Sequence, residues 1–100
     1  MTVEKEKNGG CLNVKIDGSV DVNTSQGFRS EIIDELEDVS LVRFDMEKMD
    51  YISSAGLRVI LEIFQILEDK GGRVSLVNVR EEVREIFEVT GFTAVMEIND

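Results

Sequence analysis

The chain has 100 residues, of which 42% are hydrophobic, and this size and content predict a single domain over residues 1–100. Its formal net charge of −10 argues against nucleic acid and anionic membranes as partners, because binding to phosphate groups requires clustered lysine and arginine. The sequence contains no histidine, which excludes His-dependent catalysis, and with one cysteine we expect no metal and no cofactor.

The N-terminal segment predicts a β-hairpin that leads into a half-buried strand. Asn8-Gly9 is typical of a tight hairpin turn. After the turn, Leu12, Val14 and Ile16 alternate with polar residues, so we expect these three side chains to face the core. Cys11 belongs to the same strand, and we expect a buried, inert thiol in a protein of the reducing cytoplasm.

A bend and a helix are predicted next. Gly18 and Asp21 mark the bend, and Asn23 or Thr24 is suited to cap the helix that follows. The apolar residues of this helix recur at helical spacing: Phe28, Ile32, Ile33 and Leu36. A short strand is predicted over residues 41–47, followed by a loop over residues 48–51.

A long helix is predicted over residues 54–70, ended by Gly71-Gly72. Its polar stripe is narrow, and its apolar arc is roughly twice the usual width for a surface helix. This arc indicates either a deeply buried helix or, at edges such as Val59 and Ile66, part of a protein-binding patch. A strand at 73–79, a helix at 80–91 and a strand at 94–98 complete an α/β fold, with helices covering a mixed sheet.

The start of the long helix carries two serines, Ser53 and Ser54, for which three roles are considered. Either hydroxyl can cap the helix by accepting a first-turn backbone N–H. A phosphate at this position would meet free N–H donors and the positive end of the helix dipole. A catalytic nucleophile is disfavoured, because the segment lacks the G-x-S-x-G pattern and the chain has no histidine to act as base. We therefore expect no enzymatic activity.

The segment YISSAGLRVIL, residues 51–61, resembles the signature of the STAS domain, in particular that of the bacterial anti-sigma factor antagonists. Residues 14–32 are similar to the second strand, the turn and the first helix of that family. Residues 71–92 are similar to its later strand and helix. The resemblance therefore extends over nearly the whole chain and implies a STAS-like fold.

The resemblance also implies a function, a partner switch controlled by phosphorylation. In its unphosphorylated form such an antagonist binds an anti-sigma factor, which releases a sigma factor for transcription. The anti-sigma factor is a serine kinase that inactivates the antagonist with ATP, and a PP2C-type phosphatase restores it. By position, Ser54 corresponds to the phosphate acceptor and also lies at the helix cap, with Ser53 as the alternative acceptor. The implied partner-binding residues are Asp21, Asn23, Thr24, Ser53, Ser54, Ala55, Gly56, Leu57 and Arg58.

Two departures from the family pattern and one rival function accompany this resemblance. Many relatives carry aspartate immediately before the acceptor, where this chain has Ser53. Family members often continue into a further C-terminal helix, whereas the present sequence stops at Asp100. Similar domains also serve as subunits of lipid-transport ATPases or of stress-signalling complexes, as binding modules. Nothing in the sequence requires dimerisation, so we expect a monomer or a weak dimer.

Overall fold

The computed structural model describes residues 1–91 and the backbone of residues 97–99. Strands and helices alternate after an opening hairpin, as the periodicity of the sequence predicts. The elements are β1 (Thr2–Asn8), β2 (Cys11–Val20), α1 (Ser25–Ile33), β3 (Leu41–Ile52), α2 (Ser54–Asp69), β4 (Arg73–Val77), α3 (Glu81–Val89) and β5 (Glu97–Asn99). The predicted last strand is present at residues 97 and 98, and residues 94–96 lie outside the described residues.

The five strands form one mixed sheet in the order β1-β2-β3-β4-β5. β1 pairs antiparallel with β2, and the three later pairs are parallel. Each parallel pair is joined by a helix, since parallel neighbours need a crossover connection. This confirms the predicted mixed sheet with an N-terminal hairpin. No helix in the described part of the chain is both long and apolar enough to cross a membrane.

The hairpin turn lies one residue later than predicted. Asn8 pairs with Cys11, so the two turn residues are Gly9 and Gly10. Gly9 has φ +60°, a conformation that glycine adopts at little cost and that tight hairpin turns require. The pair Gly9-Gly10 therefore forms the turn in place of the predicted pair Asn8-Gly9. Cys11, expected to be buried, is half-buried.

β1 forms one edge of the sheet, and its lysines and its glutamates lie on opposite faces. Lys5 and Lys7 pair with Val14 and Leu12 of β2, whose side chains belong to the core face. The ammonium groups of these lysines reach the α1 region, where Lys5 lies 3.1 Å from Glu31 and Lys7 lies 2.9 Å from Asp38. The intervening glutamates of β1 point to the opposite face.

The core lies between the sheet and the helices. The predicted inward residues of β2 are fully buried and stand beside Val42 and Phe44 of β3. From α1, Phe28 packs against Phe44 with ring centroids 6.0 Å apart. The remaining helical contributions to this core come mainly from α2, through Ile60, Ile63 and Leu67. From α3, Val83 and Phe87 are fully buried, while Ile86 is half-buried and Thr90 is exposed.

The wide apolar arc of α2 is explained mainly by burial. Val59 is only 7% exposed, and Ile66 is half-buried and packs against the core. Val59 is therefore closed to a partner, whereas Ile66 keeps some exposed surface, so a binding patch at this edge stays a prediction. The helix ends as predicted, since Gly71 has φ +78° after its last turn.

Two sequence predictions near the end of β3 are wrong. Residues 48–51, predicted as a loop, continue the strand to Ile52, and Gly18, predicted to mark a bend, lies inside β2. The register between β2 and β3 shifts at two places, between Lys15 and Asp17 and between Gly18 and Ser19. Such bulges add residues to one strand without ending the pairing. Their consequence is that Val20 and Ile52 finish as direct neighbours.

Candidate functional site

The carboxyl ends of β2 and β3 bring the Asp21 loop beside the first turn of α2. The pairing of Val20 with Ile52 places the residues that follow each strand at the same edge of the sheet. The backbone N–H of Ser53 then donates to the carbonyl oxygen of Val20 at 2.8 Å. Two segments that are about thirty residues apart in sequence therefore form one surface.

Gly56 allows this close approach. A Cβ atom on Gly56 would lie 2.8 Å from side-chain carbons of both Ile52 and Val20, and 3.1 Å from the Val20 carbonyl oxygen. Contacts this short do not occur in folded proteins without displacement of a neighbour. Glycine is therefore required at this position because the helix backbone itself contacts the two strand ends.

Ser53, and not Ser54, is the helix cap. Ser53 is half-buried with extended backbone angles, φ −84° and ψ 172°, and its hydroxyl accepts the backbone N–H of Gly56 at 3.2 Å. The prediction that Ser54 occupies the cap is wrong, because Ser54 is the first residue of the helix itself. The cap requires non-helical backbone angles, and Ser53 has them.

Ser54 is exposed at the start of α2. Its hydroxyl makes no hydrogen bond with any other described residue. The hydroxyl is therefore open to a protein that approaches from solvent. It lies at the positive end of a 16-residue helix, next to backbone N–H groups of the first turn.

The Asp21 loop is held by reciprocal hydrogen bonds. Oδ1 of Asp21 accepts the backbone N–H groups of Asn23 at 2.8 Å and Thr24 at 2.9 Å, while Thr24 Oγ1 accepts the backbone N–H of Asp21 at 2.9 Å. The N–H of Thr24, and then that of Asn23, lowers the pKa of Asp21, so its carboxylate is charged at neutral pH. Thr24 occupies the cap position of α1, but neither its side chain nor that of Asn23 caps the helix.

The other predicted contact residues differ in what they offer a partner. Arg58 is exposed and Ala55 is half-buried, whereas Gly56 is buried. Leu57 is 4% exposed, so its side chain serves the core and presents little surface to another protein. The accessible part of the predicted set therefore consists of Asn23, Ser54 and Arg58, with Asp21, Thr24, Ser53 and Ala55 partly accessible.

Two exposed apolar side chains beside Ser54, Val22 and Tyr51, are missed by the sequence analysis. Val22 follows Asp21 directly in the loop, and Tyr51 pairs with Ser19 at the end of β3. In a strand, the residue before a buried one faces the other side, so the position of Tyr51 next to Ile52 could have indicated its exposure. The interpretation of residues 48–51 as a loop removes this argument.

The surface holds hydroxyl and carboxylate groups but no group suited to proton transfer near neutral pH, because the chain has no histidine. Among residues 1–91 no group of acidic or cysteine side chains is arranged to hold a metal ion.

Comparison with known proteins identifies the family. The model of the STAS domain family matches residues 2–100. The chain belongs to the STAS domain family. The STAS fold and family predicted from the serine segment are thus confirmed, and the matched range spans every element described above.

Relatives of this STAS protein carry names from sigma-factor regulation. BtrV of Bordetella bronchiseptica, provisionally named an anti-sigma factor antagonist, is 30% identical over 99 residues, which cover 98% of this chain and 85% of BtrV. The anti-sigma-B factor antagonist of Bacillus subtilis is 25% identical over 99 residues, covering 99% of this chain and 91% of that protein.

Solved structures of SpoIIAA share the STAS fold with this chain. The anti-sigma factor antagonist SpoIIAA in its unphosphorylated form superposes with a TM-score of 0.80 at 19% identity, covering 99% of this chain and 88% of SpoIIAA. The phosphorylated form of the Bacillus cell fate determinant SpoIIAA gives a TM-score of 0.77 at 20% identity, with 97% and 90% covered. SpoIIAA has thus been solved with and without phosphate.

Proposed function

We propose that this STAS protein is a phosphorylation-controlled partner switch. In its unphosphorylated form it binds an anti-sigma factor with serine kinase activity in the cytoplasm, and this binding frees a sigma factor for transcription. The names of its relatives support this proposal. The observation on which it mainly rests is the exposed Ser54 hydroxyl, free of hydrogen bonds to described residues, beside the charged carboxylate of Asp21.

The two serines have different availability, which supports Ser54 as the acceptor. The Ser53 hydroxyl accepts the N–H of Gly56 and is half-buried, so phosphorylation there would disturb the helix cap. The Ser54 hydroxyl would receive the γ-phosphoryl group of ATP with loss of its proton and release of ADP. No hydrogen bond among the described residues would be broken.

A phosphate on Ser54 would act through charge at the surface. It would bring about −1.5 to −2 units of charge close to Asp21. The first-turn N–H groups of α2 and the helix dipole favour an anion there, so the domain would stay folded. A partner surface that fits the neutral hydroxyl would then meet charge repulsion and lose affinity. A PP2C-type phosphatase would restore binding by hydrolysing the phosphate.

The test is binding of Ser54 variants to purified anti-sigma factor kinases of the source organism, measured one kinase at a time by calorimetry. We expect Ser54→Ala to bind a kinase about as tightly as the wild type and to remain bound after ATP is added. Ser54→Asp should bind at least roughly tenfold more weakly, because it adds a charge where the hydroxyl was accepted.

Ser53→Ala is the matched control, since it removes the neighbouring hydroxyl and leaves Ser54 in place. Mass spectrometry after incubation with the kinase and ATP should find one phosphate in Ser53→Ala and none in Ser54→Ala. Phosphate on Ser53 in the wild type would refute the assignment of the acceptor. A Ser54→Asp protein that binds as tightly as the wild type would refute the charge mechanism.

A further inference from the structure

Four large apolar side chains are exposed among the residues whose side chains the structure describes, and two of them adjoin Ser54. Val22 is 72% exposed and Tyr51 is 48% exposed. The other two are Met1 and Val89, and Val89 lies at the end of α3. Single exposed apolar residues are common on protein surfaces. Their position relative to a proposed binding site is what gives Val22 and Tyr51 significance.

Val22 and Tyr51 lie on the two chain segments that meet at the start of α2. Val22 lies two residues after Val20, whose carbonyl oxygen accepts the N–H of Ser53 at 2.8 Å. Tyr51 lies two residues before Ser53, near the end of β3, and β3 is the strand with which Val20 pairs. Val22 and Tyr51 are therefore each two residues away from the hydrogen bond between Ser53 and Val20 that joins the two segments.

The fold excludes these two side chains from its core although their neighbours are fully buried. Val20 is 0% exposed and Ile52 is 1% exposed, and both lie under the first turn of α2. Tyr51 adjoins Ile52 on a strand, so it points to the opposite side of the sheet. Neither side chain packs in the core, so both are available to be buried by a partner.

The negative charge of the chain favours a protein partner that carries basic side chains. The hydrogen bonds that Asp21 accepts from described residues all go to Oδ1, so Oδ2 accepts none from them. The chain as a whole carries −10. An apolar surface with a carboxylate in an acidic protein is complementary to a surface that combines apolar pockets with lysine or arginine.

We propose that Val22 and Tyr51 are the apolar anchors through which the unphosphorylated chain holds its anti-sigma factor. The inference rests on the proposed function and adds the residues that provide affinity. Tyrosine is enriched among the few interface residues that dominate binding energy. Ser54 lies three residues after Tyr51, so a phosphate there would add negative charge near the anchors.

The first experiment compares Val22→Ser and Tyr51→Ser with Val89→Ser, a control that removes an exposed apolar side chain from another surface. The probe is the purified kinase that the wild-type chain binds. We expect each anchor variant to weaken binding by about tenfold or more, and the control to stay within about twofold. Urea unfolding of each variant identifies any loss of fold.

A second measurement uses the unaltered chain. Tyr51 is its only tyrosine, so labelling with 3-fluorotyrosine gives one ¹⁹F resonance that reports on this position alone. We expect the resonance to shift or broaden when unlabelled kinase is added. The same addition to labelled Ser54→Asp should leave it unchanged at equal concentrations.

The outcomes separate this inference from the proposed function. A wild-type chain that binds no anti-sigma factor kinase refutes both. A chain whose binding responds to Ser54→Asp, but whose anchor variants bind like the wild type and whose ¹⁹F resonance does not move, refutes the anchors and leaves the switch intact. Loss of affinity in folded anchor variants together with a ¹⁹F change supports the inference.

Discussion

At the scale of single residues, Ser53 and Ser54 show how backbone position gives identical side chains different roles. Ser53 has extended backbone angles and uses its hydroxyl to accept the N–H of Gly56. Ser54 is helical and exposed. One serine therefore stabilises the helix, and the other is available to an enzyme.

Removal of each hydroxyl should separate these roles. We expect Ser53→Ala to lower the free energy of unfolding by about 1 kcal/mol, the usual cost of losing a serine cap. Ser54→Ala should change it by less than about 0.5 kcal/mol, as is common for surface substitutions. Urea unfolding followed by circular dichroism measures both. Equal losses in the two variants would contradict the assignment of the cap.

Gly56 and Gly27 are helical glycines in opposite environments. At Gly56 a Cβ atom would collide with Val20 and Ile52, whereas at Gly27 it would meet no heavy atom within 4 Å. We expect Gly56→Ala to destabilise the fold by about 1–3 kcal/mol through overpacking. Gly27→Ala should stabilise it by about 0.5–1 kcal/mol, because alanine loses less conformational entropy in a helix.

Thermal unfolding of the two alanine variants provides the measurement. Opposite changes in Tm are expected, with Gly27→Ala as the control for the alanine substitution itself. A Gly56→Ala protein as stable as the wild type would show that the first turn of α2 can move away from the strand ends. The positioning of Ser54 beside Asp21 would then be looser than the structure implies.

At the scale of elements, α1 and α2 are joined by a two-pronged ion pair. Arg29 Nε donates to Glu62 Oε1 at 2.9 Å, and Arg29 Nη2 donates to Glu62 Oε2 at 2.7 Å. The hydrogen bonds and the charge of Arg29 lower the pKa of Glu62. Both side chains are more than a third exposed, so water weakens the pair.

This ion pair should make part of the stability depend on pH. The pKa of Glu62 is lower in the folded than in the unfolded chain, so its contribution is present above the unfolded pKa and is lost as pH falls through the folded pKa. We expect Glu62→Gln to be less stable than the wild type at pH 7, and this difference to shrink below about pH 5.

Glu68→Gln is the control for that substitution, because Glu68 is exposed on the same helix and forms no ion pair with the described residues. Urea midpoints at several pH values and low salt measure all three proteins. A stability difference between wild type and Glu62→Gln that does not change with pH would show that the pair contributes through packing and not through charge.

At the scale of the whole molecule, the regular parts of the fold are predictable from sequence and the bulged part is not. Leu12, Val14 and Ile16 follow strict alternation, and α2 and α3 follow the helical repeat, so their burial is predictable. In β3 the buried residues Met46, Met49 and Ile52 are three apart, because the pairing with β2 is irregular there. That spacing does not resemble a strand, and residues 48–51 are predicted as a loop.

The candidate site is predictable to a similar extent. The resemblance of YISSAGLRVIL to the STAS signature locates the site, and the spacing of Asp21 within its turn adds the second segment. The choice of cap depends on the backbone angles at Ser53, which two adjacent serines do not reveal. The exposure of Val22 and Tyr51 depends on where β2 and β3 end, and the bulges shift that position.

The edge strand β1 has a consequence for the behaviour of the protein at high concentration. Two copies related by a two-fold axis and joined antiparallel through β1 would keep their core faces on the same side, so residues of equal parity would lie opposite one another. Centred on Lys5, this pairing sets Lys5 against its own copy and Glu4 against Glu6; centred on Glu6, it sets Glu6 against itself and Lys5 against Lys7. Like charges directly opposite destabilise a strand pair. Two-fold joining of two copies through this edge is therefore opposed by four alternating charges.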